Sequence, residues 1–221
     1  MVVDGAGAGA APLAARYLGL ADRLLPGRIE GFYVVGSAAL GAFDPDRSDV
    51  DFIAVVDGDL TRDELRRLRR VHVLSTLSSF GRQVARGHPA MPETCNGAYV
   101  RASELTRPVS EIVPLASHTG MRFEVGQGFD VNPVMWKVLA ERGITLRGPG
   151  PDALGLRPQP ELLRPWNLDN LDGYWTTWAE NGMRHHRLDP VLQSTRWTVA
   201  WGVLGPPRLH HTIATGEVIS K

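Results

Sequence analysis

The 221-residue chain predicts an α+β fold in two parts, a small mixed sheet with flanking helices and then an all-helical segment. Three observations carry that prediction. Short apolar runs bounded by turn residues are interleaved with helical periodicity as far as residue 147. Residues 148–160 (GPGPDALGLRPQP) then read as a linker. Beyond them, Leu and Trp recur at helical spacing with no strand pattern. The expected domains are 1–150 and 151–221.

Residues 1–10 are rich in Gly and Ala and predict disorder. Residues 11–25 read as an amphipathic helix with Leu13, Tyr17, Leu20 and Leu24 on one stripe, ended by Pro26-Gly27. Residues 32–35 form a short apolar strand, broken by Gly36-Ser37. Residues 44–48 are turn chemistry, and residues 49–56 are a second strand. Thr61, with Glu64 three residues later, predicts a capping box that opens a helix over 61–80. The arginines of that helix read as a solvated face. Further strands are expected at 97–101 and near 110–114. A helix over 131–142 carries Pro133 in its first turn and Gly143 as its cap, and a short strand follows at 144–147. Helices are expected over 161–182 and 187–204. Pro206-Pro207 should end the second, and another helical stretch should run from 208 to 215 and stop at Gly216.

Composition excludes several classes. Lys plus Arg and Asp plus Glu each number 24, so no net charge draws the chain to nucleic acid or to an anionic membrane. Cys95 is alone, which rules out an internal disulfide and a cysteine-rich zinc site. No apolar run approaches the roughly 18 residues of a membrane span, and the N-terminus lacks signal-peptide character. The expected setting is cytoplasmic, as a monomer. The adjacent pairs His185-His186 and His210-His211 do not have the i,i+4 spacing of a helical metal site.

The segment that carries chemistry is Gly36-Ser37, eleven residues, then Asp49-Val50-Asp51-Phe52. Alternation along a strand puts Asp49 and Asp51 on one side and Val50 and Phe52 on the other. Two like charges so placed repel, and their natural partner is a hard divalent cation such as Mg²⁺. Gly36 lets backbone approach a phosphate, and Ser37 adds a hydroxyl at the start of a short helix.

This arrangement resembles the nucleotidyltransferase superfamily that includes DNA polymerase beta. It is most similar to the bacterial aminoglycoside 3″-adenylyltransferases of streptomycin and spectinomycin resistance. VVGSAALGAFDPDRSDVDFIAVV carries the superfamily motif. NPVMWKVLAERGITLRGPGPDAL and RLHHTIATGEVISK resemble the family's interdomain and helical-domain stretches.

The resemblance implies that Asp49 and Asp51 bind Mg²⁺, that Gly36, Ser37 and Ser48 hold the triphosphate of ATP, and that Arg208 and Lys221 reach ATP from the helical domain. It also implies AMP transfer to a hydroxyl of a small molecule, an aminoglycoside being the suggested acceptor. The sequence departs from the family at the expected general base, where Asn96 stands. Glu93 is the alternative base. The region of the family's streptomycin-binding aspartate holds no acid, and the chain looks short at its C-terminus. A degenerate member that binds nucleotide or a partner without turnover is the competing expectation.

Overall fold

The computed structural model describes residues 9–45, 48–85, 94–186 and 196–220. The disorder expected for residues 1–10 falls mostly outside them. The chain divides into two compact units, residues 1–158 and 159–221, with the division at the far end of the expected linker.

The first unit contains α1 (Ala10–Leu24), β1 (Ile29–Val35), α2 (Gly36–Ala39), β2 (Val50–Val56), α3 (Arg62–Ala85), β3 (Cys95–Arg101), β4 (Ala116–Thr119), β5 (Arg122–Val125), α4 (Pro133–Arg142) and β6 (Ile144–Arg147). Its strands form one sheet in the order β5-β4-β3-β2-β1-β6. The β2–β3 pair is parallel and the other neighbours are antiparallel. A parallel pair needs a long crossover, and α3 supplies it. The capping box opens that helix as expected: the Glu64 N–H donates to Thr61 Oγ1 (3.2 Å) and the Thr61 N–H donates to Glu64 Oε2 (2.7 Å).

The two faces of the sheet are covered differently. On one, Tyr17, Leu18 and Ala21 of α1 and Leu68 and Val71 of α3 share a core with Phe32, Val34, Phe52 and Ala54. The Phe32 and Phe52 rings stack with centroids 4.7 Å apart. Residue alternation turns Tyr33, Val35, Asp51 and Ile53 to the other face. α4, which packs on β1 and α2, buries Trp136, Val138 and Leu139. Its cap is Asn132, whose Oδ1 accepts from the Met135 N–H at 2.9 Å.

The fourth strand corrects the sequence expectation. Residues Val109–Glu111 form a single 3-10 turn, and the strand is β4, further along the chain. A two-residue loop, Gly120-Met121, joins it to β5, with φ +57° at Gly120, the hairpin chemistry in which glycine takes the left-handed conformation. The hairpin escaped sequence reading because β4 buries Ser117 and His118, which no apolar pattern marks.

His118 belongs to a buried polar cluster. Its Nε2 lies 2.6 Å from the Tyr17 hydroxyl, which lies 2.5 Å from that of Tyr99. The His72 ring sits 4.2 Å from the His118 ring. Cys95 is buried nearby in β3, the small core residue expected for a lone cysteine.

The second unit holds α5 (Leu163–Asn170), a π turn (Leu171–Trp175), α6 (Thr176–His186) and α7 (Arg196–Thr215). The expected break at Pro206-Pro207 does not occur, because α7 runs through both prolines. Tertiary packing outweighs the missing N–H groups. A side chain at Gly205 would overlap the Trp175 ring, and one at Gly202 would overlap Trp178, so two glycines seat α7 against the indoles. The helix stops at Gly216, as expected, with φ +74°. No helix among the described residues is long and apolar enough to cross a membrane.

The histidine pair gives a pH prediction. Burial lowers the pKa of His72, against a hydrogen bond with the Gly120 backbone. Burial lowers that of His118 further, with repulsion from His72 adding to it. Both rings therefore fold neutral. Their contribution to stability is complete above the unfolded value of about 6.5 and is lost as pH falls below it toward the folded values. Thermal melts should show Tm falling from pH 7.5 to pH 5, and His72→Leu should flatten that dependence. An unchanged slope in the variant would refute the assignment.

Candidate active site

The sheet delivers the site residues at the ends of three adjacent strands. Register places Val35 of β1, Asp51 of β2 and Asn96 of β3 in one row. Paired residues in a row point to the same face, here the face away from α1 and α3. Asp49 stands just ahead of β2, two residues before Asp51. Val50 and Phe52 are fully buried on the opposite side, as alternation requires.

Gly36 is where backbone makes room for this row. Its φ is +61°, and a Cβ there would overlap the Asp51 carboxylate. The residue therefore answers both a left-handed conformation and a close approach. The approach is by a carboxylate of the chain itself. Ser37 follows it in α2 and is half-buried. Ser48 closes the turn ahead of β2: its N–H donates to the Asp44 carbonyl at 2.8 Å, and its Oγ accepts from the Asp44 N–H at 3.0 Å.

The Asp49 carboxylate is held from the start of β3 and the residue just ahead of it. Oδ1 accepts from the Thr94 backbone N–H (3.1 Å) and the Thr94 hydroxyl (2.8 Å), and Oδ2 accepts from Asn96 Nδ2 (3.2 Å). Asn96 Oδ1 accepts in turn from the Gly120 N–H at 2.9 Å. Thr94 and Asn96 are both 7% exposed, whereas Asp49 is open to solvent. Sequence reading found Asp49, Asp51 and Asn96 but missed Thr94. Its place two residues before Asn96 on the same strand face was the available signal.

The remaining candidates are more scattered. Glu93 and Lys221 lie outside the described residues. Arg208 is on α7 in the second unit. It lines an open depression of about 440 Å³ with Pro207, His210, His211, Ile219 and Ser220. A further carboxylate passed unremarked in the sequence. Asp130, between β5 and α4, is 7% exposed, and burial pushes its pKa up to about 6. Among the described residues no group of three His, Cys, Asp or Glu side chains is arranged to hold a metal. The candidate cation site consists of two carboxylates. Their hard oxygen donors suit Mg²⁺, which completes its shell with water and substrate phosphates rather than with a protein cage.

The site thus combines a glycine–serine turn after β1 with a carboxylate pair at the start of β2. Residues 19–87 match the nucleotidyltransferase domain family. Among solved structures, the chain is similar to spectinomycin adenyltransferase AAD(9) from Enterococcus faecialis, determined with ATP and spectinomycin. The TM-score is 0.65 at 14% identity, over 95% of this chain and 78% of that one. At that identity the likeness is one of fold, and it extends through the helical segment. No curated protein matches the chain.

The Gly36 contact is directly testable. Gly36→Ala should cost about 1–3 kcal/mol through the left-handed backbone alone. It should also displace the Asp51 side chain. A lowered Tm is expected, and a Tm equal to wild type would show that the contact is dispensable.

Proposed function

We propose that this chain transfers AMP from Mg-ATP to a hydroxyl of a small molecule. The observation that carries this reading is the row Val35–Asp51–Asn96, with Asp49 beside it and Gly36 packed against Asp51. It puts two carboxylates next to a glycine–serine turn. In this reading Asp49 and Asp51 hold Mg²⁺, while Gly36, Ser37 and Ser48 form the wall beside the phosphates. Mg²⁺ supplies charge neutralisation and alignment of the triphosphate.

The spectinomycin bound to the similar adenyltransferase supports an aminocyclitol or aminoglycoside as the acceptor class. Asn96 accepts no proton. Its NH₂ donates to Asp49, so the acceptor hydroxyl is not deprotonated at this position. The same observation favours a second reading, a nucleotide-binding module without turnover.

Pyrophosphate release from Mg-ATP with a panel of aminoglycosides and spectinomycin separates the two. Turnover that falls at least roughly 10²-fold in Asp49→Asn and Asp51→Asn is the expected result. Turnover unchanged in both variants would overturn the metal assignment. Silence with every acceptor, together with an ATP-induced rise in Tm, would establish the binding module instead.

A further inference from the structure

The hydrogen bonds on Asp49 do more than hold it in place. An ionised carboxylate offers about four lone-pair sites, two on each oxygen. Thr94 occupies both on Oδ1, through its backbone N–H and its hydroxyl. Asn96 Nδ2 occupies one on Oδ2. Among the described residues these donors leave Asp49 a single lone pair, on Oδ2.

The orientation of the Asn96 amide is also fixed. Its Oδ1 faces the Gly120 N–H, so its NH₂ faces the carboxylate. The Thr94 hydroxyl lies 2.8 Å from Asp49 Oδ1 and 3.2 Å from Asn96 Oδ1. It has one proton, and the shorter, charge-assisted partner takes it.

We infer that Thr94 and Asn96 are positioning residues that restrict Asp49 to one monodentate bond through Oδ2, and that this restriction biases the site toward small octahedral cations. The inference rests on the metal-binding reading of Asp49 given above. Ca²⁺ takes six to eight oxygens at about 2.3–2.6 Å and readily accepts both oxygens of one carboxylate. Mg²⁺ demands near-octahedral geometry at about 2.0–2.1 Å, and the narrow bite of a bidentate carboxylate does not fit an octahedral edge. A carboxylate with Oδ1 saturated serves the second kind of ion and handicaps the first. Asn96 then has a positive role where the resembling family places its base. Its amide spends a donor on Asp49 without adding a charge that would repel it.

The test is direct metal binding by the full chain without nucleotide. Bound Mn²⁺ is followed by electron paramagnetic resonance, with Mg²⁺ and Ca²⁺ as competitors. Wild type should bind Mn²⁺ through Asp49, with Ca²⁺ the poor competitor. Thr94→Val, which keeps the backbone donor, and Asn96→Ala should each improve Ca²⁺ relative to Mg²⁺ by roughly fivefold or more, within the range over which hydrogen-bond partners of ligands tune metal sites. Thr94→Ser, which keeps the hydroxyl, should restore the wild-type ratio. The ratio is the readout because general loosening of the fold weakens both ions alike. Should Asn96→Ala fail to fold, Thr94→Val alone decides.

Ratios within twofold of wild type, with Asp49→Asn still abolishing Mn²⁺ binding, would overturn the positioning role and leave the proposed function standing. Absence of any Asp49-dependent Mn²⁺ binding in wild type, both without nucleotide and with ATP added, would overturn both.

Discussion

Everything at the candidate site depends on β2 being paired on both sides. Its antiparallel partner β1 and parallel partner β3 fix the strand in two directions at once. Phe52 and Ala54 then lock it to the helices on one face, the Phe52 side chain contributing about 1.5–3 kcal/mol of burial. A one-residue slip would turn Asp51 into the aromatic core and Phe52 out of it. The like charges at the head of the strand are tolerated because the remainder of the strand has no alternative register.

The parallel pair has a second effect. It brings the start of β3 beside the start of β2, which puts Thr94 and Asn96 within reach of Asp49. An antiparallel neighbour would have offered the far end of its strand. The crossover needed for that arrangement is α3, so the helix that supplies His72 to the core also determines which strand end meets the carboxylates. Through Gly120, the same hairpin turn touches both His72 and Asn96.

Much of this was legible in the sequence because it rests on local chemistry. The Asp49/Asp51 alternation, the Thr61–Glu64 box, Pro133 in the first turn of its helix and the Gly216 stop are short-range signals with their own physical causes. The hairpin of β4 and β5 was not legible. Two of its three buried positions are Ser117 and His118, acceptable in a core only because Tyr17 and the Gln127 carbonyl supply partners from elsewhere in the chain. Pro206-Pro207 misled for the related reason that the Trp175 and Trp178 seats beneath α7 are tertiary. At the site, Asn96 could be read as a missing base, but not as a donor to Asp49. That role exists only once β3 lies beside β2.

The distribution of indoles has a practical side. Five of the six tryptophans fall in the second unit, where Trp175 lies 5.6 Å from Trp178 and 5.9 Å from Trp201 between ring centroids. Trp136 alone is in the first, wholly buried. Intrinsic fluorescence is therefore weighted toward the helical unit. The sheet unit, with Tyr17, Tyr33 and Tyr99 in its interior, speaks mainly through tyrosine absorbance and the amide signal of its strands. The two halves of the chain carry separate optical labels, so an unfolding experiment can ask whether they melt as one cooperative body without any dye or tag.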